Sequence, residues 1–311
     1  MTDAVNDAST LARARLPKSR VGLWVHGARP YSLVISVAPI LLGVGYAWGV
    51  FGKVAVLPVL SALISALAIQ IATNLANDAA DGLSGADHPD RPGPPRLTGS
   101  GILSAREVQL GAAVATLFAS IFGLFAVLAG GLPILFIGIA SIIAGWGYSF
   151  GPRPISASAW GEIFVVFFFG VLAVIGTVWL AAGQFSFDVV LLGAGIGLPA
   201  GAVLTVNNHR DRVQDAVAGR NTLAMRIGPT RTVALYGAQM VLASLLVAAG
   251  MAPHTRLGAA LVAATALAGL VMTRRVAMTP ISYAQSERLA ETAKFQMLLA
   301  LFAALLLAVR L

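Results

Sequence analysis

No cysteine occurs in the 311 residues. That removes disulfides, thiolate nucleophiles and Cys-ligated zinc together. Charge is almost as scarce: Asp, Glu, Lys and Arg make up 11% of the chain, 13 acids against 21 bases, while 58% is hydrophobic. Such a balance overshoots what a soluble core can bury and fits a polytopic helical membrane protein. The polar–apolar alternation of an outer-membrane barrel strand is also missing, and the apolar runs are of the roughly 18–24 residues that let a helix cross ~30 Å of hydrocarbon. Residues 1–20 lack the apolar core of a secretory signal.

The expected fold is therefore all-α, a polytopic membrane helix bundle of about nine transmembrane helices. The spans are read at approximately 31–50, 54–77, 108–128, 132–150, 159–182, 189–208, 232–250, 257–273 and 293–309. An odd number puts the two termini on opposite sides. All of the 21 bases except Lys53, Arg256 and Arg310 then belong with the N-terminal arm and the loops after spans 2, 4, 6 and 8. The positive-inside rule makes that side, and the N-terminus, cytoplasmic. Residues 1–28 are expected as a mobile cytoplasmic arm and 29–311 as the transmembrane domain, in the cell's inner (cytoplasmic) membrane. The net charge of +8 is spread over membrane-facing loops. It matches anionic lipid headgroups, and no nucleic-acid motif or obligate protein partner is evident.

Against this apolar background the acids cluster. "NLANDAADGLSGAD" (residues 74–87) follows span 2 and carries Asn77, Asp78, Asp81 and Asp87, with Asp90 just beyond; "NNHRDRVQDAVAGRNTL" follows span 6 and carries Asn207, Asp211 and Asp215. Residues four apart share a helix face, so Asn77 points with Asp81, and Asn207 with Asp211 and Asp215. Each stretch is an oxygen-ligand comb, and the two recur four spans apart on one side, a faint internal repeat. A single acid in such a loop is a solvated charge paired with Arg91, Arg210 or Arg212; two matching combs are more than that. Two carboxylates 4 Å apart repel by about 4 kcal/mol at an effective dielectric near 20, so a cation belongs between them. Oxygen ligands without His or Cys favour a hard ion, and Mg2+ prefers one or two carboxylates plus phosphate oxygens. A diphosphate carried with Mg2+ is the natural guest.

Bases suited to phosphate flank the combs. "DRPGPPRLTGSG" offers Arg91 and Arg96, "AGRNTLAMRIG" offers Arg220 and Arg226, and "WVHGARPYS" offers Arg29; guanidinium grips phosphate bidentately and stays charged. "GYSFGPRPISASAWGE" between spans 4 and 5 adds Tyr148, Arg153 and Glu162, with Arg153 its one cation. Tyr148 and Trp160 are also the residue types that anchor helices at a membrane interface. His209 beside the second comb is a candidate base, and His26 an interfacial residue.

At these residues the chain resembles the UbiA family of membrane prenyltransferases, whose nine-span members carry Asp-rich motifs after spans 2 and 6. "NDAAD" (77–81) and "DRVQD" (211–215) match both motifs. Within that family, "NLANDAADGLSGADHPDRPGPPRLTGSG", "GPRP" and "NNHRD…GRNTL" are most similar to the 1,4-dihydroxy-2-naphthoate polyprenyltransferases of menaquinone biosynthesis. Gly85 stands where the wider family often has a third Asp, Arg153 where many relatives have Lys, and Arg220 where the Lys of "GKxTL" is usual. The resemblance implies two Mg2+ ions held by Asn77 and Asp81 on one side and Asp211 and Asp215 on the other. It implies that Asp81, Asp211, Asp215 and Arg153 are catalytic, that Arg91, Arg96, Arg220 and Arg153 bind the diphosphate, and that Tyr148 meets the aromatic substrate. The partners implied are a polyprenyl diphosphate, an aromatic acceptor and the bilayer. 4-Hydroxybenzoate and homogentisate stay open as acceptors. A transporter is the rival from another class, but its ionisable groups belong near mid-membrane, and none is found in the centre of the nine spans. A membrane phosphatidyltransferase needs an Ala-Arg pair soon after Asp-Gly; after Asp81-Gly82 the chain reads Leu-Ser-Gly-Ala-Asp.

Overall fold

The computed structural model describes residues 16–85 and 93–310. Among them, nine helices are long and apolar enough to cross a bilayer: α2 (Pro30–Phe51), α3 (Val56–Ser84), α4 (Ala105–Gly130), α5 (Leu132–Ser149), α6 (Gly161–Ala182), α7 (Asp188–Val217), α8 (Leu223–Met251), α9 (Arg256–Met278) and α10 (Gln285–Val309). A short helix, α1 (Arg20–Ala28), precedes them. The described residues contain no strand.

Local chemistry sets the breaks. Ser104 and Glu107 form a reciprocal capping box at the start of α4, satisfying two N–H groups that have no partner within the helix. Arg29 at φ 53°, followed by Pro30, separates α1 from α2. Gly85 at φ 71° ends α3 in the left-handed conformation that glycine adopts without strain. α8 starts at Leu223, earlier than the expected 232, because a first turn precedes a kink at Gly228 (φ 78°) and Pro229. α3 and α7 run on past the expected ends at 77 and 208, so each comb sits on unbroken helix.

α3 packs most extensively on α4, and α7 on α8, giving the faint sequence repeat a structural counterpart four spans apart. α7 is the most enclosed of the spans. It lies against α6 where Gly170, Gly193 and Gly197 meet: a Cβ on Gly170 would sit 2.6 Å from the Gly197 Cα. Small residues allow this approach where no hydrophobic force separates helix from lipid. The main core, with Leu42, Tyr46, Leu192, Ile196, Val247, Met251 and Leu299, joins α2, α6, α7, α8, α9 and α10. Leu110, Val114, Leu117, Phe118 and Ile121 of α4 are exposed outward, as lipid-facing residues should be.

Residues 16–28, expected as part of a mobile arm, are folded against the bundle. Leu16 and Leu23 are buried with Leu75 and Leu97, and a Cβ on Gly27 would press on Leu97 Cδ1 at 2.6 Å. His26 Nε2 lies 2.9 Å from the Pro95 carbonyl. α1 is therefore a folded strap over the loop after α3, held by Leu23 and Gly27, which are four apart on one helix face. Residues 1–15 lie outside the described residues.

Candidate active site

The two combs meet at one end of the bundle. Asp81, at the last full turn of α3, is paired with Arg96 Nη2 at 2.8 Å and with Arg220 Nη2. Arg220 also reaches Asp215 on α7, at 3.2 Å. One guanidinium thus links the first comb to the second. Arg96 donates from Nη1 to Asn77 Oδ1 at 2.8 Å, so it grips both Asn77 and Asp81. On the other side, Arg210 holds Asp211 through Nε (2.6 Å) and Nη2 (2.8 Å) and Asn207 through Nη2 (2.8 Å). Asp81, Asp211 and Asp215 are all at most 5% exposed, a depth at which unpaired carboxylates would be costly. The cation expected between the combs is supplied, within the chain, by Arg220. Burial alone would lower its pKa, but the carboxylates of Asp81 and Asp215 outweigh burial and raise it above the ordinary arginine value.

Asp78, adjacent to the comb in sequence, faces away from it. Its carboxylate accepts from the backbone N–H groups of Leu97 (3.0 Å) and Thr98 (3.0 Å) and from Thr98 Oγ1 (2.7 Å). Asp78 therefore staples the loop that presents Arg96. Spacing sets Asp78 off the face shared by Asn77 and Asp81 but does not give its role, since its partners lie some twenty residues on.

Beneath the combs opens a cavity of about 490 Å³. Arg29, Asn77, Arg96, Asn207, Asn208 and Arg220 line its mouth, and Ile35, Ile69, Val127, Ile134, Phe168 and Leu172 are among the residues lining its apolar body. Tyr148 lines it too, its ring 5.9 Å from that of Phe164, which lies 4.5 Å from Phe168. Among the described residues, no Asp, Glu or His lines this cavity.

Other expected residues are placed elsewhere. Arg153 is exposed and does not line the cavity; Pro152 and Pro154 on either side restrict its loop to extended backbone, and the structure does not bring it to the combs. Arg226 is exposed and donates to Asn221 Oδ1 at 3.1 Å. Arg91, Asp87 and Asp90 lie outside the described residues. His209 is buried, with Nδ1 unbonded, and is not on the cavity wall. Glu162 is buried behind the wall and accepts from Asn208 Nδ2 at 3.0 Å.

The donor set can be tested against Mg2+. No three His, Cys, Asp or Glu among the described residues lie close enough to hold an ion by themselves. The oxygens of Asn77 and Asp81, and of Asp211 and Asp215, are instead of the kind and number that bind Mg2+ jointly with phosphate oxygens, and they already attract guanidinium. The residues fit the ion as a co-ligand of a phosphate, not as a protein-caged ion.

The UbiA prenyltransferase family profile matches residues 36–298. The 1,4-dihydroxy-2-naphthoate octaprenyltransferase of Escherichia coli is 37% identical over 216 residues, covering 68% of this chain and 70% of that one. That of Mycobacterium tuberculosis is 36% identical over 227 residues, covering 72% and 76%. Among solved structures, a UbiA homolog from Archaeoglobus fulgidus bound to DMAPP and Mg2+ superposes with a TM-score of 0.69 at 15% identity, covering 93% of this chain and 100% of that one. The same homolog bound to GPP and Mg2+ gives 0.67 at 16%, covering 92% and 99%. At that identity the likeness is one of fold. With a nine-span bundle, paired acid combs and a profile match over most of its length, the chain belongs to the UbiA prenyltransferase family.

Proposed function

We propose that the chain transfers a polyprenyl group from an allylic polyprenyl diphosphate to 1,4-dihydroxy-2-naphthoate, with loss of CO2, at the cytoplasmic end of the bundle in the inner membrane. The observation that carries this is the junction of the two combs through Arg220 directly over an apolar cavity. An amphiphile with a charged head and a hydrocarbon tail fits such a site. The relatives at 35–37% identity named as octaprenyltransferases of this naphthoate support the acceptor.

In the reaction the allylic C–O bond breaks and diphosphate leaves with the bonding electrons. The ring carbon bearing the carboxylate attacks the allylic carbon, and CO2 departs, returning its electron pair to the ring. Mg2+, held by Asn77 and Asp81 and by Asp211 and Asp215, would neutralise charge growing on the leaving diphosphate. Arg29, Arg96 and Arg220, which line the cavity, would take phosphate oxygens bidentately. Arg96 and Arg220 would exchange Asp81 and Asp215 for the phosphate as those carboxylates turn to the metal. The apolar body excludes water, which would otherwise capture the allylic cation, and the rings of Tyr148, Phe164 and Phe168 offer their electron-rich faces to it. Losing CO2 in place of a ring proton removes the need for a base at the carbon, in keeping with a wall that, among the described residues, carries no carboxylate or imidazole.

A product assay tests the proposal: protein in lipid, Mg2+ and an allylic polyprenyl diphosphate, with 1,4-dihydroxy-2-naphthoate and 4-hydroxybenzoate offered separately. A decarboxylated, prenylated product from the naphthoate alone is expected. Prenylation of the benzoate with its carboxylate kept would reassign the acceptor, and no Mg2+-dependent product from either would overturn the reading.

A further inference from the structure

The α2–α3 wall of the cavity carries polar side chains that the diphosphate end does not use. Ser32, Ser36, Gln70 and Asn74 all line it and are each more than nine-tenths buried. Asn74 Nδ2 donates to Ser32 Oγ at 2.9 Å and to the Ala28 carbonyl at 2.8 Å. Gln70 Nε2 reaches Ser32 Oγ and Asn74 Oδ1 only at 3.4 Å. Gln70 Oε1 and Ser36 Oγ have no hydrogen-bond partner.

Both orphans are costly where they stand. Gln70 is at the midpoint of α3, inside an apolar span, where an unpaired amide oxygen has no water to bond. Thr73 of α3 and Thr177 of α6, which also line the cavity, turn their hydroxyls onto the carbonyl four residues back, at 2.9 and 2.7 Å. Ser36 has the same option open to it and leaves it unused. A prenyl tail offers nothing to either atom. The guest they suit is a polar group on an otherwise flat, apolar molecule.

We infer that Gln70 and Ser36 form the binding site for one hydroxyl of the aromatic acceptor, the one farther from the attacked carbon. The inference rests on the prenyl-transfer reading above. The attacked carbon must lie beside the diphosphate at Asn77. Gln70 stands about 10 Å deeper along α3, at 1.5 Å per residue, so the ring oxygen farthest from that carbon points toward it. In 1,4-dihydroxy-2-naphthoate this is the 4-hydroxyl. Gln70 Oε1 accepts its proton, and Ser36 Oγ bonds its oxygen, while Tyr148, Phe164 and Phe168 of α5 and α6 supply the aromatic wall.

The test compares wild type, Gln70→Leu and Ser36→Ala by three constants: KM for 1,4-dihydroxy-2-naphthoate, KM for the polyprenyl diphosphate, and the inhibition constant of 1-hydroxy-2-naphthoate, which lacks the 4-hydroxyl. In Gln70→Leu the naphthoate KM rises about tenfold, the size of one hydrogen bond. The other two constants stay within about twofold, because neither ligand uses that bond. Ser36→Ala moves the same constant in the same direction, and it carries the comparison alone if Gln70→Leu does not fold. An unchanged naphthoate KM in both variants overturns the subsite, as does an equal rise for both naphthoates, which would report lost shape in place of a lost bond. Absence of product from wild type would count against the prenyl-transfer reading itself, so the two failures are distinct.

Discussion

Asp81 is the residue on which the two halves of the site depend, because Arg96 and Arg220 both close on it. Asp81→Asn keeps its shape and removes its charge, and turnover should fall by at least about 10²-fold with the protein still inserted and folded, as judged by a product assay and thermal unfolding. Arg220 answers a different question. Arg220→Ala leaves Asp81 and Asp215 facing each other across the gap, and breaking a buried pair costs about 3–5 kcal/mol. Thermal stability should drop, and added Mg2+ should restore more of it in the variant than it adds to wild type. Arg153→Ala is the contrast: exposed and away from the cavity, it should leave kcat/KM within about twofold of wild type.

α3 illustrates how one helix divides its labour, with Asn77 and Asp81 turned to the site, Asp78 to the loop and Gln70 to the cavity. Asp78→Ala would release the loop at Leu97 and Thr98 and let Arg96 drift. The KM for the diphosphate should rise several-fold while kcat changes less, a split that steady-state kinetics reads directly. The same helix shows which parts of the site a sequence can disclose. Asn77 and Asp81 were legible because a spacing of four puts two ligands on one face, and Arg220 because it stands where the Lys of "GKxTL" is usual. The function of Asp78 was not, because its partners are set by a fold-back of the chain. Gln70 and Ser36 were passed over for a similar reason: a single Gln or Ser in an apolar run acquires meaning only when a second helix leaves it unpaired beside a cavity. The helix count was legible from run length alone. The extensions of α3 and α7 to Ser84 and Val217 were not, since polar residues there read as loop until packing shows them still in register.

Across the whole molecule the charged chemistry is confined to one end, and the opposite end has a fastening of its own. There Asp188, at the start of α7, lies 2.8 Å from His254 Nε2 and accepts from the Tyr46 hydroxyl at 3.3 Å, tying α2, α7 and the α8–α9 turn together. α7 places about 35 Å of helix between this cluster and Asp211. His254→Ala should therefore lower the thermal midpoint by about 2–4 °C without altering kcat, a comparison that unfolding and turnover measurements on one preparation would settle. The cavity's own polarity, guanidinium at the mouth and hydrocarbon beyond, has a consequence for where molecules go. The substrate arrives as a lipid tethered to the membrane surface by its phosphates, and the proposed reaction cuts that tether. What remains is nearly all hydrocarbon, and its resting depth is the middle of the bilayer. Release then begins with the loss of the guanidinium grip on the phosphates: what still holds the product is the apolar wall and the contact to its ring hydroxyl, and the bilayer interior competes for the same hydrocarbon.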